Sequence, residues 1–341
     1  MVLKIRTYGL LIILMLVACE AREVGPQNLG KSVPPELRGK KVYLINEGNF
    51  GRGNASVSAY FPATGQQEPR VFNRYNGGLP LGDVLQDLIQ IEDRFYLSLN
   101  ASGKVLEVDT STWQLTAEVT NLATPRYLQS AGQRLFATDL YQAKLYVFSL
   151  KPLQLDTVLS LPKPGSRMAA RQGKLYVSAQ NLLVKIDATT LARDSVYAPG
   201  FTFTEVVEAS QQIWLLEESA PAQLWQLNPK GELLGPIALA TTEGARFLRA
   251  SGSGEQLFYV QNNKQLCQIN TQPPYQAQKI TSLPVQNVYG LAVDPQTNQL
   301  YLSDALDYNQ NADIFRYRSN GELINQFKGG LLTNGFFFNL P

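Results

Sequence analysis

The chain contains no histidine in 341 residues, only two cysteines, and 17% charged residues. Without histidine there is no Ser-His-Asp or Cys-His nucleophilic site, no imidazole general base, and no His-ligated zinc, iron or copper. Two cysteines supply neither a four-thiolate metal site nor a disulfide framework. Thirty basic residues against 28 acidic leave a formal charge of +2, which is no electrostatic footprint for a nucleic-acid partner. Long apolar runs are missing as well. The one at Tyr8–Ala18 is about 11 residues, short of the roughly 20 that a membrane-spanning helix needs. What is present is an ordinary apolar fraction of 44%, enough for a large core in two ordinary domains or one large all-β or barrel-like domain.

The first 18 residues read as an export signal: Lys4 and Arg6, then the apolar run, then Leu16-Val17-Ala18-Cys19. A positive start, a 7–15-residue apolar stretch and a small residue before the cut describe a secretory signal. The last four residues resemble the lipobox of bacterial lipoproteins, which implies cleavage before Cys19 and diacylation of its thiol. Cleavage there removes two of the 30 basic residues and leaves 28 against 28 acidic. Residues 19–39 then form the lipidated cysteine and a tether rich in proline, glycine and charge, with no periodicity. Cys267, the other thiol, sits in an alternating apolar stretch and reads as a buried small hydrophobe.

Beyond the tether one unit repeats. Strand-length segments centred on Tyr43, Tyr96, Phe136, Tyr176, Trp214, Tyr259 and Tyr301 recur at intervals of 53, 40, 40, 38, 45 and 42 residues. Each is followed by a second alternating segment, at 56–65, 104–113, 144–153, 183–191, 223–233, 265–272 and 314–323, that breaks at Asp, Asn, Pro or Gly, as a hairpin turn requires. A period near 40–45 with four short strands per unit is the mark of a β-propeller blade. The expectation is an all-β, seven-bladed β-propeller over residues 40–341. The first unit lacks an innermost strand, and Asn334-Gly335-Phe336-Phe337-Phe338 matches the innermost pattern of Tyr289-Gly290-Leu291-Ala292-Val293. The C-terminal strand is therefore expected to close the ring beside Val42–Asn46 and remove its open edges.

Residues 40–341 resemble the YVTN/YncE-like seven-bladed propellers. More narrowly they resemble the surface lipoproteins of Bacteroidota that accompany TonB-dependent transporters, some of which capture cobalamin. The segments that carry the resemblance are NEGNFGRGNASVSAYF (46–61), LGDVLQDLIQIEDRFYLSLNASGKVLEVD (81–109), LSDALDYNQNADIFRYRSNG (302–321) and NGFFFN (334–339). It implies a lipid-anchored, surface-exposed outer-membrane protein that captures a small ligand, with a corrinoid as first choice, and passes it to a TonB-dependent transporter. Neither nucleic acid nor a cofactor is expected.

A propeller places its site at one end of the central channel, and the loops after the aromatic-centred strands, with the connectors between blades, build that rim. The candidates in the first two blades are Glu47, Asn49, Phe50, Arg52, Asn54, Asp83 and Asn100. Arg126, Tyr127, Asp139, Tyr141, Arg167, Phe201, Asp304 and Tyr308 follow, with Asn76, Asn181, Arg246 and Tyr289 also on the predicted rim. Amides offer donor and acceptor together, and aromatic faces cover a ligand at small entropic cost, so the chemistry favours binding over catalysis and no catalytic residue or metal ligand is assigned. The loop Glu47–Gly53 stands out, with three glycines around a phenylalanine and an arginine. The run Asp307–Asp313 alternates oxygen side chains, but Ala312 replaces the turn glycine and Arg318 the bidentate glutamate of a calcium loop. Two other readings stay open: a module that binds a protein or glycan, and a metal-dependent lactonase-like enzyme that converges Glu47, Asn100, Asn181 and Asp304 on one cation.

Overall fold

The protein is described by a computed structural model covering residues 39–239 and 241–339. The expected signal peptide, Cys19 and almost all of the tether lie outside the described residues.

Seven four-stranded antiparallel sheets follow one another along the chain. The aromatic-centred segments form the second strand of each, as in Arg94–Leu99, Arg134–Asp139 and Lys174–Ala179. These strands are buried on both faces because neighbouring blades cover them, so they read as nearly continuous apolar runs. The outermost strands, such as Leu153–Ser160, are largely exposed. Between second and third strands the pairing is regular, for example Phe95 with Val108 and Leu97 with Leu106. In blades 2 and 4 the third strand ends at an Asp that turns the chain. Asp109 accepts the backbone N–H of Ser111 and Thr112, and Asp187 those of Thr189 and Thr190, as Asx-type turns do.

Ring closure is as the sequence predicts. The strand Thr333–Asn339 pairs with Lys41–Asn46, with Val42 opposite Phe338 and Leu44 opposite Phe336. The first blade is thus built from both ends of the propeller. Asn46, fully buried, fastens the seam. Its Oδ1 accepts the Thr333 hydroxyl at 2.6 Å and the Gly330 N–H at 3.1 Å, while its Nδ2 reaches the Ser56 and Ser58 hydroxyls.

The first blade departs from the repeat at its outer edge. Its fourth strand is only Gln67–Glu68, and a short helix, Val71–Tyr75, follows. Val71 and Phe72 are buried in the cluster that holds Tyr43, Phe95 and Trp113, and Trp113 donates to the Tyr43 hydroxyl at 3.0 Å. This insertion, with the long Glu47–Ala55 loop, accounts for the 53-residue first interval.

Candidate functional site

The innermost strands of the seven blades pack side by side around the channel, and each begins irregularly. In blades 1, 2, 3, 5, 6 and 7 the register against the second strand shifts within the first few residues. In blade 2, Leu85 pairs with Leu99 and Asp87 with Ser98, so Gln86 is the inserted residue. The same count makes Tyr289 the insertion in blade 7 and Asn334 in blade 1. A bulge of this kind re-aims side chains that the pleat would alternate. The second and third positions of six inner strands, with the two residues just ahead of the blade 4 strand Met168–Arg171, form a ring at the channel mouth: Gln86-Asp87, Arg126-Tyr127, Ser166-Arg167, Glu205, Arg246-Phe247, Tyr289-Gly290 and Asn334-Gly335. Phe247 takes φ 60° here, a left-handed backbone that costs a bulky residue of order 1–3 kcal/mol. Gly290 has no such freedom to give up: a Cβ there would lie 2.6 Å from the Asn334 carbonyl oxygen, so only glycine lets these two strands approach.

Glu47, in the loop that leaves the blade 1 second strand, reaches this ring and organises one side of it. Its Oε2 accepts the Tyr289 hydroxyl at 2.7 Å, and its Oε1 accepts Asn334 Nδ2 and Gln86 Nε2, each at 2.8 Å. Gln86 Oε1 in turn accepts Arg126 Nε at 3.2 Å. Blades 1, 2, 3 and 7 are thereby joined by side chains alone. Gly48 makes the turn that sends Glu47 inward. It sits at φ +73°, and a Cβ would fall 2.4 Å from Asn54 Oδ1 and 2.7 Å from the Ala55 nitrogen.

Further round the ring, Arg126 and Arg167 both lie over the Tyr127 ring, at 4.6 and 3.7 Å from its centroid. Asp87 accepts the backbone N–H of Leu128 and Leu88, and Glu205 pairs with Arg249 at 2.8 Å. Burial pushes the Glu47 and Asp87 carboxyls above the usual range; hydrogen bonds oppose this at Glu47, the Arg167 charge and amide hydrogen bonds at Asp87. Burial would lower Arg167, but Tyr127, Glu205, Asp87 and Glu47 around it hold its pKa up. Two buried polar atoms of the ring have no partner: Arg167 Nε and Asn334 Oδ1.

The structure brings together Glu47, Arg126, Tyr127 and Arg167 of the sequence-predicted set. Tyr308 joins them at the rim, its ring edge-on to Tyr289 at 5.9 Å. Asn49, Asn54 and Asp83 brace the adjoining loop: Asn54 accepts the Asn49 N–H, Asp83 accepts the Gly51 N–H, and Asn49 Nδ2 reaches the Tyr308 carbonyl. That bracing holds Phe50 in solvent at 83% exposure, with Arg52 exposed beside it; Tyr141 is 74% exposed. Asn100, Asp139 and Asp304 serve the connectors instead. Asn100 donates to the Thr124 and Pro125 carbonyls, Asp139 accepts the N–H of Thr124, Tyr141 and Gln142, and Asp304 accepts those of Gln286, Asn287 and Leu306. Phe201 stacks on Trp225 at 4.7 Å within a blade core. Asn76 lies at the outer edge, bound to Trp113 and Leu115. In the run resembling a calcium loop, Asp313 pairs with Lys328 and Arg318 with Glu322.

Gln86, Asp87, Glu205, Arg249 and Asn334 escaped the sequence reading because it followed the loops after second strands. Aligning the inner strands by their first residue would have found all of these but Arg249, which lies further along its strand, Ala245–Ala250.

Residues 40–339 match the family described as "Domain of unknown function (DUF5074)", and the chain belongs to it. No curated protein matches the sequence. Among solved structures it is similar to a quinonprotein alcohol dehydrogenase-like protein from Bacteroides thetaiotaomicron (TM-score 0.67, 14% identity, 88% of this chain and 78% of that chain). It is also similar to a 6-phosphogluconolactonase candidate from Bacteroides fragilis (TM-score 0.66, 15% identity, 90% and 100%) and to virginiamycin B lyase from Staphylococcus aureus (0.61, 12%, 80% and 89%). At such identities the likeness is one of fold alone.

Proposed function

We propose that this DUF5074 protein is a binding protein whose ligand seats on the channel mouth, that the ligand is a corrinoid such as cobalamin, and that the protein works as a Cys19-anchored surface lipoprotein beside a TonB-dependent transporter. The observation that supports a ligand site is the ring itself. Bulges on six of the inner strands bring polar and aromatic side chains to the channel mouth, where two buried polar atoms, Arg167 Nε and Asn334 Oδ1, lack partners. Buried polar groups are ordinarily satisfied, so a mouth with spare donor and acceptor capacity suits a ligand edged with amides. The corrinoid and the transporter rest on the segments that resemble cobalamin-capturing lipoproteins. Calorimetric titration with cyanocobalamin tests the ligand: saturable heat with a change in visible absorbance is expected, and neither at micromolar concentration removes the corrinoid.

A second reading has its own observation. Phe50 and Tyr141 are large, solvent-exposed rings on loops of blades 1 and 3, and aromatic anchors of this kind dominate protein interfaces. On that reading Phe50→Ala and Tyr141→Ala abolish capture of a protein or glycan partner while corrinoid binding is absent.

A further inference from the structure

We propose that the wall of the channel formed by blades 3 and 4 is a site for an oxyanion, a carboxylate or a phosphate group, held by Arg126 and Arg167, which share a contact with the Tyr127 ring. The argument is one of donors against acceptors. Three carboxylates face this space, and each is already engaged. Glu47 is taken by Tyr289, Asn334 and Gln86, Asp87 by the N–H of Leu88 and Leu128, and Glu205 by Arg249. Arg249 is likewise spent, its Nε donating to the Leu291 carbonyl at 2.9 Å.

The two remaining guanidinium groups have carboxylates in their surroundings but none bonded to them. Arg167 has a buried Nε with no acceptor, and Arg126 gives its Nε only to the neutral Gln86 amide. Neither is in a salt bridge within 4.0 Å among the described residues. The Tyr127 ring lies within 4.6 Å of both groups; Arg167 keeps its whole donor edge and Arg126 its two terminal nitrogens, and guanidinium donors match an oxyanion well. Arg246, exposed at the mouth and also without an ion-pair partner, adds a third positive charge on the approach. A cation would have to displace donors from carboxylates that are already satisfied, whereas an oxyanion fills vacancies.

This inference rests on the binding reading for its location but not on the corrinoid. The test uses inorganic phosphate and acetate as separate probes on the folded protein, with sodium chloride at matched ionic strength as the control. Thermal unfolding is followed, and the 31P line width of phosphate gives a second readout independent of stability. The expected result is a saturable rise in Tm with at least one probe, about 2 °C at ten times its dissociation constant. Which probe acts separates a carboxylate from a phosphate site. Arg167→Gln and Arg126→Gln are each expected to weaken the response roughly tenfold or more. Arg94→Gln, whose guanidinium pairs with Asp93 and Asp109 at the opposite end of blade 2, responds as wild type does. A wild-type response no greater than that to chloride overturns the proposal, as does an unchanged response in both channel variants. If Arg167→Gln does not fold, the wild-type and Arg126→Gln arms decide alone. Anion binding without corrinoid binding keeps this site and removes that ligand; corrinoid binding without an anion effect does the reverse.

Discussion

Replacing Glu47 separates what its charge does from what its shape does. In Glu47→Ala, Asn334 Nδ2 keeps the Leu85 and Gln86 carbonyls as acceptors, but the Tyr289 hydroxyl and the Gln86 amide lose theirs. Each orphaned buried donor costs about 1–3 kcal/mol. Allowing for water that enters the mouth, the loss is about 2–4 kcal/mol. Some 300 ordered residues unfold with an entropy of roughly 0.6 kcal/mol/K, so Tm falls by about 3–6 °C. Glu47→Gln behaves differently. Its Oε1 still accepts from Asn334 and Gln86, and its amide donates to the Tyr289 oxygen, which turns its own proton away. The network is kept and a buried charge is removed. Because burial raises the Glu47 carboxyl above its ordinary value of 4.5, the folded state holds that proton more tightly than the unfolded chain. The wild type therefore loses stability as pH rises from the ordinary value through the raised one. Glu47→Gln lacks that slope, so it equals the wild type near pH 4 and exceeds it at pH 7.5. Urea unfolding of the three proteins at both pH values is the assay. If Glu47→Gln is as unstable as Glu47→Ala at pH 7.5, the carboxylate charge itself is needed and the reasoning fails.

Two further outcomes test the scaffold. Asn46→Ala removes the acceptor shared by Thr333 and Gly330 in a fully buried seam; a cost of about 2–4 kcal/mol is expected, with limited proteolysis cutting the C-terminal strand sooner than in wild type. Cys267 is buried in the strand Gln265–Asn270, and burial pushes its thiol up to about 11; thiol reagents at pH 8 should leave its peptide unlabelled in the folded protein and label it rapidly in denaturant, as peptide mapping will show.

The scaffold was legible because it repeats. Every blade needs the same second strand, buried on both faces, so VYLIN, FYLSL, LFATD and LYVSA all say the same thing. Even the missing strand of the first unit could be located, since Asn334–Phe338 carried a pattern that had no other place to go. The helix Val71–Tyr75 was not foreseen: five residues offer too little periodicity to announce themselves, and its two buried side chains serve a local cluster around Trp113. Of the predicted rim, Glu47, Arg126, Tyr127 and Arg167 meet in the channel, whereas Asn100, Asp139 and Asp304 sit at corresponding strand ends and hold connectors together. The residue types do not distinguish these two fates. An aspartate that accepts three backbone N–H groups and a glutamate that faces the channel are both polar residues near the end of a strand.

What distinguishes them is where their hydrogen bonds go. Asp139 and Asp304, at the ends of the second strands of blades 3 and 7, do the same work, each accepting three backbone N–H groups of its own connector. The ring side chains bond from blade to blade instead, Glu47 with Gln86, Tyr289 and Asn334, and Gln86 with Arg126. They also vary: Gln-Asp, Arg-Tyr, Ser-Arg and Arg-Phe stand near the inner-strand starts of blades 2, 3, 4 and 6, while Tyr-Gly and Asn-Gly in blades 7 and 1 share only the glycine, and the bulge itself needs only an extra residue. A scaffold constraint common to all blades produces repetition, so a slot where the repeat keeps its backbone and changes its chemistry is free of that constraint. In this propeller the backbone repeat is kept and its chemistry changes around the channel mouth, where Glu47, Tyr289, Arg126 and Arg167 converge, so that is where the proposed binding function is to be tested.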